Sequence, residues 1–113
     1  MTFRSFDDNI GISGAWTSLL YRQRRVPMQE RPMWQIPYRA LLPQKTKNLL
    51  VAGRCFSFEQ DLFQDARIIG TCLVTGHGAG VGAALASDSG NAVQELDVKK
   101  IQKVLLEQKV YLG

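Results

Sequence analysis

Between Thr71 and Ser87 the chain carries no Asp, Glu, Lys or Arg, and Gly76, Gly78, Gly80 and Gly82 recur at every second position within that stretch. Ala, Val, Leu and Thr make up most of the remainder. A helix is expected there, ended by Gly90 and Asn91, because glycine readily takes the position just past a helix C-terminus. Four glycines in a helix interior forgo about 4 kcal/mol relative to alanine. A fold that tolerates this needs its backbone at close quarters with something: a ligand, a sheet, or another helix in a membrane.

Each option makes a different demand on the flanking sequence. As a nucleotide-binding turn, Thr75–Gly82 ("TGHGAGVG") fits T-G-x-x-x-G-x-G, and Gly78, Gly80 and Ala83 fit G-x-G-x-x-A. "RIIGTCLVTG" would then be the preceding strand, and Asp97 the downstream acid. Such an NAD(P)-binding Rossmann unit needs further βα repeats, and the 31 residues after Gly82 leave no room for them. The Tyr-x-x-x-Lys pair of short-chain dehydrogenases is missing too, since none of Tyr21, Tyr38 and Tyr111 has a lysine four residues on. As a membrane span, Ile68–Ala86 offers 19 residues without an acid or strong base and a Gly76-x-x-x-Gly80 contact motif. Glycine and threonine dilute its aliphatics and His77 sits centrally, so no membrane insertion is expected.

The flanks are organised differently. All four prolines (Pro27, Pro32, Pro37 and Pro43) fall within residues 1–47, which predicts extended segments and turns rather than long helices. Trp34–Leu42 ("WQIPYRALL") reads as a strand broken at Pro37 or as an edge segment. This half looks like something that lies across another surface. Asn48–Ala52 ("NLLVA"), followed by Gly53, suits a strand buried on both faces, with Gly53–Asp65 as a loop. Near the end, Asp97 should cap a helix with Val98, Ile101, Leu105 and Leu112 on one stripe and Lys99, Lys100, Lys103 and Glu107 mostly opposite. Three segments result: 1–47, 48–88 and 89–113.

Composition narrows the class. With 113 residues, 45% hydrophobic and 21% charged, the chain is globular and of one-domain size, which excludes a disordered tail or a collagen-like repeat. Nine Lys/Arg face three acids over residues 1–54, and five face seven over residues 55–113. A basic half attracts nucleic acid or an anionic cofactor. Its one cluster, Arg22–Arg25, is too short and too poor in aromatics to support nucleic-acid binding. Cys55 and Cys72 form neither a C-x-x-C pair nor a disulfide framework, and Arg4, Asp7 and Asp8 interrupt the first apolar residues. A reduced, cytoplasmic chain without a signal peptide is expected.

Residues 35–88, "QIPYRALLPQKTKNLLVAGRCFSFEQDLFQDARIIGTCLVTGHGAGVGAALASD", resemble the C-terminal part of FAD-dependent oxidoreductases of the glutathione-reductase-like superfamily. The nearest pattern is a bacterial group in which Ile-Pro-Tyr-Arg precedes "NLLVAGRC" and then an Arg-x-x-Gly-Thr-Cys helix start. The match is ungapped from Ile36 to Ala86 and extends back to "FDDNIG" and forward through "LDVKKIQKVLLEQ". It departs from the group in three places. Gln60 stands where a histidine is frequent, Gly78 and Gly82 replace better helix formers, and no G-x-G-x-x-G follows a strand near the start.

The resemblance implies an α/β fold: the C-terminal fragment of a Rossmann-like FAD-binding domain, made of a returning strand and a glycine-rich helix. An irregular Pro-containing N-terminal half and a C-terminal amphipathic helix would flank it. It implies that Asn48–Ala52 is the returning strand, with Gly53 and Arg54 passing the pyrophosphate and ribityl chain. The helix starting near Gly70 would aim the amides of Thr71, Cys72 and Leu73 at the flavin, where free N–H groups and the helix dipole favour negative charge. Gly76 and Gly80 would let that helix lie close against the sheet. Arg67 is expected either to grip a small-molecule substrate or the cofactor, or to form an ion pair with Asp61 or Asp65. His77, Cys72, Cys55, Trp16 and Trp34 are expected to be packing or structural residues.

Function follows from these parts. The chain is expected to be a portion of an FAD-dependent oxidoreductase, lacking the N-terminal half that holds the adenosine and inactive alone. The alternative is a non-catalytic interaction module whose orphaned faces drive self-association into a homo-oligomer.

Overall fold

Residues 5–14 and 33–113 are described by the structure, a computed structural model. Trp16, the Arg22–Arg25 cluster, Pro27 and Pro32 lie outside the described residues. The core begins with two short strands, β1 (Asn9–Ser13) and β2 (Trp34–Pro37), paired antiparallel with Asn9 opposite Pro37, Ile12 opposite Gln35 and Ser13 opposite Trp34. Three residue steps on β1 match two on β2 between the first two of these pairs, so β1 carries a bulge. Pro37 ends the ladder because it has no N–H to give. The next amide, Tyr38 N, donates to Asp8 O at 2.7 Å, and a 3-10 turn follows over Tyr38–Leu41. The described parts of the proline-containing half, residues 5–14 and 33–47, contribute to this chain's own core, where Ile10 and Ile36 are fully buried.

Asn48–Ala52 is not a strand. Asn48 has φ +53, Leu49 is 45% exposed, and Val51 N donates to Leu41 O at 2.9 Å without a ladder forming around it. An apolar run of that length needs two covered faces to be a central strand, and here its residues are at most half-buried. The Rossmann-like returning strand inferred from the resemblance is thus absent from this segment. A 3-10 turn over Gly53–Cys55 follows, then another over Gln60–Leu62 that leads into the one-turn helix α1 (Phe63–Ala66).

Helix α2 (Ile69–Ser89) closes the core, and Gly90 ends it in the left-handed conformation at φ 69. Thr75–Gly82 lies in the interior of this helix with no strand before it, which removes the NAD(P)-binding turn as a reading of that segment. By length and composition alone α2 could cross a membrane. Here Thr71, Thr75, Gly78, Val81, Gly82 and Ala86 form a buried stripe. The glycines that allow the close approach are not the expected Gly76 and Gly80, whose absent Cβ atoms would meet nothing within 4 Å. They are Gly78, where a Cβ would collide with Ile10 Cδ1, and Gly82, where it would lie 2.9 Å from Tyr38 Oη and 3.0 Å from its Cε2.

Helix α3 (Val98–Glu107) adds Ile101 and Leu105, both fully buried. Asp97 caps it, its Oδ1 accepting from Lys99 N at 3.0 Å. The helix stops where Lys109 turns to φ 63 and Val110 N donates to Leu105 O, so Leu112 lies beyond the stripe on which it was expected. Leu112 O instead accepts from Asn9 Nδ2 at 2.5 Å, which ties the C-terminal tail to β1.

Candidate functional site

The candidate residues converge where the Gly53–Cys55 turn meets the amino end of α2. Gly53 has φ 66, a left-handed conformation that residues with a Cβ rarely adopt. Its N–H donates to Thr75 Oγ1 at 2.9 Å, and the place a Cβ would occupy lies 3.9 Å from Cys72 Sγ. Sequence segments separated by a loop of more than a dozen residues are thus brought together, Gly53 against Cys72 and Thr75.

The helix start is built from backbone. Ile68, extended at φ −79 and ψ 160, occupies the N-cap position, and no side chain among the described residues caps it. The first intrahelical bond runs from Cys72 N to Ile68 O at 3.0 Å. The donors therefore differ from the expected Thr71, Cys72 and Leu73. Cys72 N is committed inside the helix and Leu73 lies one residue further in, leaving the amides of Ile69, Gly70 and Thr71 ahead of the first bond. Ile69 and Gly70 are exposed, whereas Thr71 is fully buried.

Thr71 anchors this end of the helix. Its hydroxyl donates to Asp65 O at 2.8 Å, which leaves Ser13 Oγ, 2.7 Å away, to donate to it. The end of β1, the end of α1 and the start of α2 are thereby joined through one buried oxygen. Thr75, also fully buried, does the same for the Gly53 turn. The sequence reading placed Thr75 only as the first residue of a candidate nucleotide-binding turn and missed this role. Its one signal was position, four residues after Thr71 and so on the same helix face.

Two arginines flank the junction. Arg54 is exposed on the turn itself. Arg67 is exposed just ahead of α2; its Nη2 donates to Gln64 Oε1 at 2.5 Å and its guanidinium lies 5.8 Å from the Phe63 ring centroid. Among the described residues it is engaged by Gln64 and Phe63 and makes no ion pair with Asp65; the side chain of the other expected partner, Asp61, lies outside the described residues. Cys72 is half-buried, and its Sγ–H donates to Arg67 O at 3.7 Å. Cys55, expected to be structural, is exposed.

His77 is not a packing residue either: it is exposed, and its Nε2 lies 2.5 Å from Gln108 Oε1, linking α2 to the end of α3. Trp34 is buried as expected. Burial pushes the pKa of Tyr38 up to about 12. Its hydroxyl donates to Val93 O at 3.0 Å, so it is a structural tie rather than an acid.

This junction has the chemistry of a site for an anionic or electron-rich ligand: uncapped helix amides, a glycine turn that leaves room for close approach, and nearby guanidinium groups. That is the class of site found in proteins that hold phosphate-bearing or flavin cofactors. A family model described as FAD dependent oxidoreductase matches residues 1–105. The chain belongs to that family. No curated protein and no solved structure matches it.

Proposed function

We propose that this chain is the closing, C-terminal portion of an FAD-dependent oxidoreductase of the glutathione-reductase-like kind, and that the Gly53 turn and the amino end of α2 are its contribution to the flavin site. FAD, when bound, supplies hydride transfer to or from a small organic substrate. The residues that would hold it are Gly53 and Arg54 beside the pyrophosphate and ribityl chain, and the exposed amides of Ile69 and Gly70 beside the electron-rich part of the ring, with buried Thr71 anchoring the helix start behind them. Arg54 supplies positive charge suited to a phosphate. Arg67 stays available to a substrate carboxylate once its contact with Gln64 is exchanged.

The observation that carries this reading is the fit between donor set and ligand. A helix start that no side chain among the described residues caps leaves its first N–H groups open to a ligand, and Gly53, held in the left-handed conformation, stands beside it. The exposed part of α2 agrees with a missing partner half. Ile69 is 80% and Leu73 68% exposed, and Gly70, Gly76 and Gly80 have open space where their side chains would be.

Alone, the chain is expected to lose FAD and not to turn over, because the residues that would grip the adenosine belong to the other half. The test is reconstitution. Mixed with FAD and desalted, the chain emerges colourless; supplied with the separately expressed N-terminal half, it forms a yellow complex. A stoichiometric yellow protein from the chain alone would overturn the reading, as would a mixture that stays colourless.

A further inference from the structure

We propose that Thr75 is a positioning residue that locks the Gly53 turn onto the first turn of α2 and so sets the geometry of the cofactor-facing junction. The role in cofactor binding rests on the function proposed above; the lock itself rests on the hydrogen bonds. Thr75 is fully buried, and its hydroxyl has partners on both sides. It accepts from Gly53 N at 2.9 Å, and its one proton goes to Thr71 O at 3.1 Å or Cys72 O at 3.0 Å. Both carbonyls belong to the first turns of α2 and have a second lone pair to offer. The hydroxyl thus relays the turn's amide into the helix backbone, and each bond polarises the next.

The flanks of the turn are fixed to the Tyr38–Leu41 turn, Val51 N donating to Leu41 O and Ser57 N to Ala40 O, both at 2.9 Å, while the turn itself is held less tightly. Its internal backbone bond, Cys55 N to Ala52 O, is long at 3.4 Å, and Gly53 has no side chain with which to anchor itself. Among the described residues, the hydrogen bond joining the turn to α2 is the one to Thr75. Threonine suits the task because branching at Cβ restricts χ1 in a helix, so the hydroxyl stays aimed.

The test is amide hydrogen exchange by NMR on the full chain, together with alkylation of Cys72. In Thr75→Val, which keeps the shape and removes the hydroxyl, Gly53 N–H should exchange about tenfold faster, the change expected for losing one hydrogen bond to a buried partner. Ile101 and Leu105 amides should keep their protection, and Cys72, which lies under Gly53, should alkylate faster. Thr75→Ser should return Gly53 to within about twofold of wild type, since the hydroxyl is restored. Thr71→Val, which removes an equally buried hydroxyl one turn away, should leave Gly53 protected.

Gly53 exchange in Thr75→Val as slow as in wild type would overturn the proposal, as would equal acceleration by Thr71→Val. Where the valine variant does not fold, Thr75→Ser decides: wild-type Gly53 protection supports the lock, and a tenfold loss in a folded serine variant refutes it. No flavin enters these measurements, so failure of the wild-type chain to respond to FAD would count against the functional reading alone.

Discussion

Replacing single glycines of α2 with alanine separates those that face the core from those that face outward. At Gly80 a new Cβ meets nothing within 4 Å, so Gly80→Ala gains the full helix-propensity difference, about 1 kcal/mol. At Gly78 the same methyl runs into Ile10 Cδ1, with Ile10 Cβ and Cγ1 both at 3.3 Å. Ile10 is fully buried and cannot swing aside, so the overpacking cost of about 1–3 kcal/mol opposes the same gain. Gly78→Ala is therefore expected to fall about 1–3 kcal/mol below Gly80→Ala, or about 4–12 °C in Tm at the ~4 °C per kcal/mol of a domain this size. Urea and thermal denaturation followed by circular dichroism measure the difference. Ile10→Val, which removes the colliding methyl, should recover part of the loss in the Gly78→Ala background and so appear as a favourable coupling in a double-mutant cycle. Gly78→Ala as stabilising as Gly80→Ala, or strict additivity with Ile10→Val, would refute the packing of α2 on β1.

Other consequences are as direct. Because burial raises the Tyr38 pKa from 10.0 to about 12, the folded state holds its proton longer than the unfolded one. The stability this contributes is complete below pH 10 and lost as pH rises from 10 to 12; Tyr38→Phe should flatten that decline in urea melts. Asp97→Ala removes the N-cap of α3 and should cost about 1 kcal/mol, with Asp97→Ser recovering most of it. Cys55, exposed on its turn, should react with iodoacetamide before half-buried Cys72, as mass spectrometry of partially labelled protein would reveal; the reverse order would contradict the placement of the Gly53 turn over Cys72.

The elements that local rules govern were legible from the residues. An uncharged Ala- and Gly-rich run gave α2, Gly90 its left-handed end, and Asp97 the start of α3. What failed depended on partners distant in sequence. "NLLVA" has the composition of a buried strand, but among the described residues no strand pairs with it, and it runs as an irregular half-exposed segment. Which glycines face the sheet is decided by Ile10 and Tyr38, and Ile10 lies on a five-residue strand with a bulge that shifts its alternation. The frame of α2 is set by Ile68 at its N-cap, which moves the free amides toward Ile69 and Gly70. No side-chain pattern marks Ile68 as a cap. The part Thr75 plays was hidden for a related reason: it exists only once Gly53 has folded over it.

The most direct test of the central claim is a 1H–15N NMR titration of the chain with FAD, at concentrations high enough to populate a weak complex. The account expects the shifts to gather on Gly53, Arg54, Ile69, Gly70 and Thr71, at the uncapped end of α2. Shifts centred on α3 or on Thr75–Gly82, or a spectrum unchanged by saturating FAD, would contradict it.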